Sequence, residues 1–187
     1  MKNSRTMPPP RRFNPRFNPR FNRLAVFLPL IACAAPALHA AQSWVKDPAD
    51  FPSSALCKPE EVTLWTCVAQ RKTFSLCAQR NAPIDHVTIQ YRVQDQRGKM
   101  LLRYPEPSRA PRSAFAYACS ANGDAEIEFQ IGKYTYSLVD PLRDVSFISV
   151  MKGQRELAHL TCREGNQSLQ LNDTIALMRA LMVPQPN

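Results

Sequence analysis

Cysteines are the residues of this sequence whose type and spacing offer the most chemistry. There are six, and Cys57, Cys67 and Cys77 follow one another at intervals of ten residues. Zinc knuckles and ribbons need close pairs with about two to four residues between ligands, and no such pair occurs. The five cysteines after residue 40, including Cys119 and Cys162, predict two disulfides and one odd thiol. The pairing stays open, because Cys67 can face Cys77 across a hairpin or either can bond to another strand, such as the one ending at Cys162.

Histidines and carboxylates show no catalytic pattern. His86 precedes a predicted strand and His159 lies within one, which is typical of surface or hydrogen-bonded histidines. Glu126 and Glu128 are two residues apart, so they share the solvent face of one strand. No Gly-rich phosphate loop, no Gly-x-Ser-x-Gly and no His-Glu-x-x-His motif is present. We therefore predict a protein with no catalytic residues, no metal site and no cofactor.

The first forty residues are typical of an export signal. Met1–Arg23 carries seven Lys and Arg and no acid, and the apolar run Leu24–Leu38 is interrupted by two prolines. This run is too short to span a bilayer as a mature helix. We predict a signal peptide over residues 1–40, cleaved after Ala40, and a periplasmic or secreted bacterial protein.

A rival processing site lies inside the same apolar run. Leu30-Ile31-Ala32-Cys33 is similar to a bacterial lipobox, in which the cysteine receives a diacylglycerol and becomes the new N-terminus. In that case the protein is an outer-membrane lipoprotein. Membrane contact is expected only if Cys33 is lipidated.

The high formal charge belongs to the predicted leader. The whole chain has 24 basic and 15 acidic residues, and the leader removes seven basic ones, so 17 minus 15 leaves +2. No basic stripe interleaved with aromatic residues follows. Nucleic acid is therefore not a predicted partner.

Alternating apolar residues predict an all-β fold after a Pro-rich start. We assign residues 41–61 to an extended tether and residues 62–187 to a small antiparallel barrel or sandwich of about eight strands, disulfide-bonded, with a short C-terminal helix from Asp173. The first hairpin is predicted to turn at Gln70–Lys72. The predicted strands are Val62–Ala69, Thr73–Ala78, Val87–Val93, Lys99–Tyr104, Ser113–Cys119, Ala125–Ile131, Tyr134–Val139, Val145–Met151 and Glu156–Cys162.

Several short motifs in this order resemble a bacterial family. They are a Trp-Thr-Cys arm ending at Cys67, the Gly-x-Tyr-x-Tyr arm over Gly132–Tyr136, and the Lys-Gly-Gln-Arg-Glu-Leu-Ala segment over Lys152–Ala158. The chain resembles the periplasmic and membrane-bound lysozyme inhibitors and a wider set of bacterial secreted proteins. The resemblance implies a small barrel that inserts loops into the cleft of a wall-degrading enzyme. It matches the family's Lys-Gly segment at Lys152 and Gly153, whereas the family's Ser-Gly-x-x-Tyr segment is not matched.

The sequence thus predicts a non-catalytic binding protein of the bacterial envelope, whose target is a lysozyme-type peptidoglycan hydrolase. Lys152 or Arg155 on a rigid hairpin tip would pair with the cleft carboxylates. The alternative is a lipid-anchored structural or accessory protein of the envelope. The oligomeric state is left open.

The two processing predictions differ in mass. Intact and peptide mass spectrometry of the exported, non-reduced protein should show a chain that begins at Ala41 without acylation. An acylated chain that begins at Cys33 would instead establish the lipoprotein. The same digest assigns the disulfides.

Overall fold

Nine β-strands are the main secondary structure of the described chain. The computed structural model describes residues 43–109, 111–163, 168–181 and 183–186, so the predicted signal peptide over residues 1–40 and Cys33 lie outside the described residues. The strands are β1 (Glu61–Ala69), β2 (Lys72–Gln79), β3 (Ile89–Asp95), β4 (Met100–Arg109), β5 (Ala116–Cys119), β6 (Ala125–Ile131), β7 (Tyr134–Asp140), β8 (Phe147–Lys152) and β9 (Arg155–Thr161).

The strands form two antiparallel sheets. Strands β1 to β4 make a four-stranded sheet and β5 to β9 a five-stranded sheet, and within each sheet neighbours in the chain are neighbours in space. This confirms the predicted all-β antiparallel fold. Of the two predicted forms, the structure has the sandwich of two sheets.

Aromatic side chains pack between the two sheets. Phe129 on β6 stacks on Tyr136 of its own sheet and on Tyr104 of the other, with ring centroids 5.2 and 5.1 Å away. Tyr91 and Phe115 also contact this ring, at 4.9 and 5.4 Å. The four strand residues of this cluster occupy inward positions, as the period of two requires, and Phe115 immediately precedes β5.

Residues 43–60, the N-terminal segment, pack against the strands that follow. Trp44, Val45 and Phe51 are buried in the common hydrophobic core, and the Trp44 indole donates to the Gln79 carbonyl at 2.8 Å. The segment therefore contributes to the core although its only regular element is a single short 3₁₀ turn.

The five cysteines among the described residues form two disulfides and leave one thiol, as predicted. Cys57 bonds to Cys77 and Cys67 bonds to Cys162, whereas Cys119 is free and exposed. The Cys67–Cys162 bond joins an edge strand of one sheet to the end of an edge strand of the other.

The alternative Cys67–Cys77 bond does not form because of the strand register. The first turn contains two residues, Gln70 and Arg71, and not the three that were predicted. Both take positive φ, 47° and 60°. In this register Cys67 faces Phe74.

A buried ion pair on the outer face of the four-stranded sheet joins β3 to the start of β1, and its arginine also holds the N-terminal segment. The Arg92 guanidinium donates to both carboxylate oxygens of Glu61, at 2.6 and 2.7 Å, and to the Leu56 carbonyl at 2.8 Å. Burial alone would raise the pKa of Glu61, but hydrogen bonds from Arg92 and the Lys58 backbone, together with their charges, lower it. The Cys57–Cys77 bond closes the same face.

The predicted C-terminal helix is present as α1 (Asn172–Ala180), and its Leu177 and Met178 are buried in the core. Asp173 lies in its first turn, where its carboxylate accepts from the Lys46 backbone N–H at 2.8 Å. No helix among the described residues has the length and apolar character needed to cross a bilayer. The remaining helices are 3₁₀ turns at Pro48–Asp50, Ile84–His86 and Pro111–Ser113.

The two disulfides should differ in their contribution to stability. Their sequence separations of 95 and 20 residues correspond to about 4.7 and about 3.3 kcal/mol of chain entropy. Replacing Cys67 and Cys162 by alanine should therefore lower the free energy of unfolding in urea more than replacing Cys57 and Cys77. Cys119→Ala is the control and should change it by less than about 0.5 kcal/mol. A larger loss of stability on removal of the Cys57–Cys77 bond than on removal of the Cys67–Cys162 bond would contradict the chain-entropy explanation.

The ion pair predicts an acid-sensitive part of the stability. At neutral pH, Glu61→Gln should cost about 3 kcal/mol because it leaves the buried Arg92 without its counter-charge. Because the pKa of Glu61 is lowered in the folded state, its stabilisation is complete above the ordinary value of 4.5 and disappears as pH falls through the folded value. Urea unfolding measured from pH 7 to pH 3 should therefore show that the difference in the free energy of unfolding between wild type and Glu61→Gln decreases as the pH falls. The control is Glu60→Gln at the exposed neighbouring position. A comparable loss of stability in this control would refute the assignment of the effect to the Glu61–Arg92 ion pair.

Candidate functional site

The β8–β9 hairpin carries the predicted partner-binding residues at its tip. Its turn consists of Gly153 and Gln154, and Gly153 has φ 57°, a conformation that glycine adopts without strain. Lys152 is the last residue of β8, Arg155 is the first of β9, and the two face each other directly. The structure therefore brings the predicted Lys152, Gly153 and Arg155 together on one tight turn.

The two cations at this tip have the same charge and are both exposed. Like charges directly opposite each other across a sheet are destabilising. Within the described part of the chain, neither has an acidic side chain within ion-pair distance. The pair is thus a local free-energy cost that an acidic partner would relieve.

A third cation, Lys133, lies on the neighbouring turn. Thr135 of β7 pairs with Met151 of β8, so the turn after β6 and the turn after β8 are at the same end of the sheet. Adjacent strands are about 5 Å apart, which brings Lys133 beside the β8–β9 turn. Its ammonium also lies over the Tyr134 ring, 5.8 Å from the centroid. We call Lys133, Lys152 and Arg155 the cationic tip.

The sequence analysis missed Lys133 as a site residue. Gly132-Lys133 reads as a turn on its own, and its place beside the other turn depends on the β7–β8 register. The sequence signal that could have predicted its position is that two consecutive hairpins have glycine turns and strands of similar length, which places both turns at the same end of the sheet.

Glu156, the acid next to the tip, is held by other groups. Its Oε1 accepts from the Ser149 hydroxyl at 2.8 Å and lies 3.2 Å from Nδ1 of His159. The hydrogen bond from Ser149 and the contact with His159 lower the pKa of Glu156. The carboxylate is therefore occupied on the sheet face and does not form an ion pair with Arg155.

Serine, histidine and glutamate occur together here, but not in the order of a hydrolytic triad. A triad needs the serine hydroxyl to donate to histidine and the histidine to donate to the acid. Here Ser149 and His159 both contact the same oxygen of Glu156, so the carboxylate lies between them. His159 is half exposed and stacks on Phe147, as expected of a surface histidine with a partner.

The Glu126 and Glu128 carboxylates share one strand face, as predicted. Their opposite neighbours include Ala116, Ala118 and Ser137. Partial burial and the charge of Glu126 raise the pKa of Glu128. A glycosidase pair instead flanks the scissile bond from two sides. Among the described residues, no group of three or more His, Cys, Asp or Glu side chains is arranged to hold a metal ion.

An apolar residue lies near the tip at a β-bulge. The register shifts between Val150 and Met151, which leaves Leu157 as the unpaired residue of β9. Leu157 is 46% exposed, the highest value among the large hydrophobic residues described. Bulges redirect side chains at sheet edges, and this one presents an apolar surface two residues from Arg155.

No family model, curated protein or solved structure matches this chain. The resemblance to the lysozyme inhibitors therefore stays a prediction from the sequence.

Proposed function

We propose that this protein is an exported, non-catalytic binding protein that inserts its cationic tip into an acidic cleft of a partner protein. The observation that carries the proposal is the direct opposition of Lys152 and Arg155, without an acidic partner among the described residues, on a tight two-residue turn. An acidic cleft supplies the missing counter-charge. Fixed geometry limits the entropy lost on binding.

We propose that the partner is a lysozyme-type peptidoglycan hydrolase. Glycosidases of this kind carry two carboxylates in a cleft, and a charge pair buried there would act as a hot spot. The Lys152-Gly153 match to the inhibitor family supports this choice. Leu157 offers an apolar contact beside the charges.

We propose the bacterial periplasm or the extracellular space as the location. Two disulfides are typical of oxidising compartments, and the predicted signal peptide provides the route.

Inhibition of a lysozyme-type muramidase tests the proposal. The purified, oxidised protein should inhibit lysis of cell-wall substrate in a saturable way. The double variant Lys152→Glu, Arg155→Glu should raise the inhibition constant at least about 30-fold, because truncating a buried charge pair costs about 2 kcal/mol or more.

The matched control is Arg97→Glu, Lys99→Glu, which makes the same charge change on the exposed β3–β4 turn. Its inhibition constant should stay within about threefold of wild type, since distant surface charges act mainly through screened fields. Undiminished lysis at high molar excess of wild type would reject a lysozyme-type target. Equal losses in both double variants would reject the cationic tip as the site.

A further inference from the structure

The outer face of the four-stranded sheet carries a groove of about 370 Å³. The buried Gln90 and Arg92 of β3 form its floor, and its lining also includes Leu56 and Lys58 of the N-terminal segment and the exposed Arg103 and Glu106 of β4. This volume lies within the range of small-molecule sites, about 300 to 1,000 Å³. The groove belongs to the sheet that does not carry the cationic tip.

The floor of the groove has two buried N–H donors to spare. Arg92 has five N–H groups and makes four hydrogen bonds, to Gln90, Leu56 and both oxygens of Glu61. Gln90 has two and donates one, to the Pro105 carbonyl at 2.9 Å. Arg92 is 6% and Gln90 is 9% exposed. One hydrogen on each is thus without an acceptor among the described residues and can donate to a molecule in the groove.

Two further cations stand at the rim with weak partners. Arg103 is the direct cross-strand neighbour of Arg92 and lies 3.9 Å from Glu106. Lys58 lies 4.0 Å from Glu60. Such long, exposed ion pairs contribute little, so both cations are available to a ligand.

We propose that this groove binds the oxyanion group, phosphate or carboxylate, of a small molecule with a short apolar part. The oxyanion accepts the spare hydrogens of Arg92 and Gln90 at the floor, and Arg103 and Lys58 complete its neutralisation. The apolar part lies along Met100 on the lining. Glu61 neutralises Arg92, whereas the long, exposed ion pairs of Arg103 with Glu106 and of Lys58 with Glu60 leave both rim cations able to turn towards the oxyanion.

Calorimetric titration of the purified, oxidised protein tests this site with two probes, hexyl phosphate and hexanoate. Hexan-1-ol is the uncharged control. At least one anion should bind saturably, and hexan-1-ol should not. The stronger anion identifies phosphate or carboxylate as the preferred group.

Variants then locate the binding. Arg103→Gln and Lys58→Gln should each weaken binding about tenfold or more, because each removes a charge-assisted hydrogen bond. Arg97→Gln removes one exposed charge from the β3–β4 turn, outside the groove lining, and should leave binding unchanged. Circular dichroism melting confirms that each variant is folded.

Three results would overturn the proposal. The first is that neither anion binds saturably up to about 10 mM, a concentration at which affinity is too weak for a specific site. The second is that hexan-1-ol binds as tightly as the anions. The third is that Arg97→Gln weakens binding as much as Arg103→Gln. The lysozyme inhibition test concerns the cationic tip on the five-stranded sheet, whereas the titration concerns the groove on the four-stranded sheet. Failure of one experiment is therefore distinguishable from failure of the other.

Discussion

The packing of Phe129 against tyrosines of the opposite sheet is the interaction on which this structure depends. Each sheet is an uninterrupted antiparallel meander, so its ladder hydrogen bonds do not extend into the other sheet. The two sheets are joined mainly by side chains, and Phe129 contacts Tyr91 and Tyr104 across the interface. Aromatic pairs of this kind add about 0.5 to 1.5 kcal/mol each beyond the area that they bury. The Cys67–Cys162 bond fixes the same joint covalently at one edge.

The edge strands of the two sheets are protected in different ways. This protection matters because an unpaired edge strand can pair with another chain and cause aggregation. The β1 edge is covered by residues that follow β9, since the Arg163 N–H donates to the Val68 carbonyl. The β5 edge is covered by the C-terminal residues, where the Pro184 carbonyl accepts from Tyr117. Strand β9 has a bulge at Leu157. The same bulge that interrupts regular pairing also turns an apolar side chain outwards near the cationic tip.

Two pairs of cations face each other across neighbouring strands and, in the described part of the chain, only one of the pairs includes a residue neutralised by a partly buried acid. Arg92 faces Arg103 on one sheet, and there Glu61 neutralises the buried member within the fold. Lys152 faces Arg155 on the other sheet, and no acidic side chain among the described residues neutralises either. The first pair contributes to holding the N-terminal segment, whereas the second has no such structural use. This difference separates an arginine with a structural role from two exposed cations that we propose as an interaction surface.

The sequence by itself determined the all-β class, most strand positions, the number of disulfides and the C-terminal helix. These features follow from local information, because the alternation of apolar residues reports which face of a strand is buried and a glycine in a turn reports positive φ. Lys152 and Arg155 were predictable for the same reason, as they flank one short turn. Only the tertiary structure decided the pairing of Cys67 with Cys162, the nearness of Lys133 to the tip and the bond between Arg92 and Glu61. Each of these joins positions that are distant in the chain, and their contact depends on strand register and on how the sheets pack, which composition and periodicity do not encode.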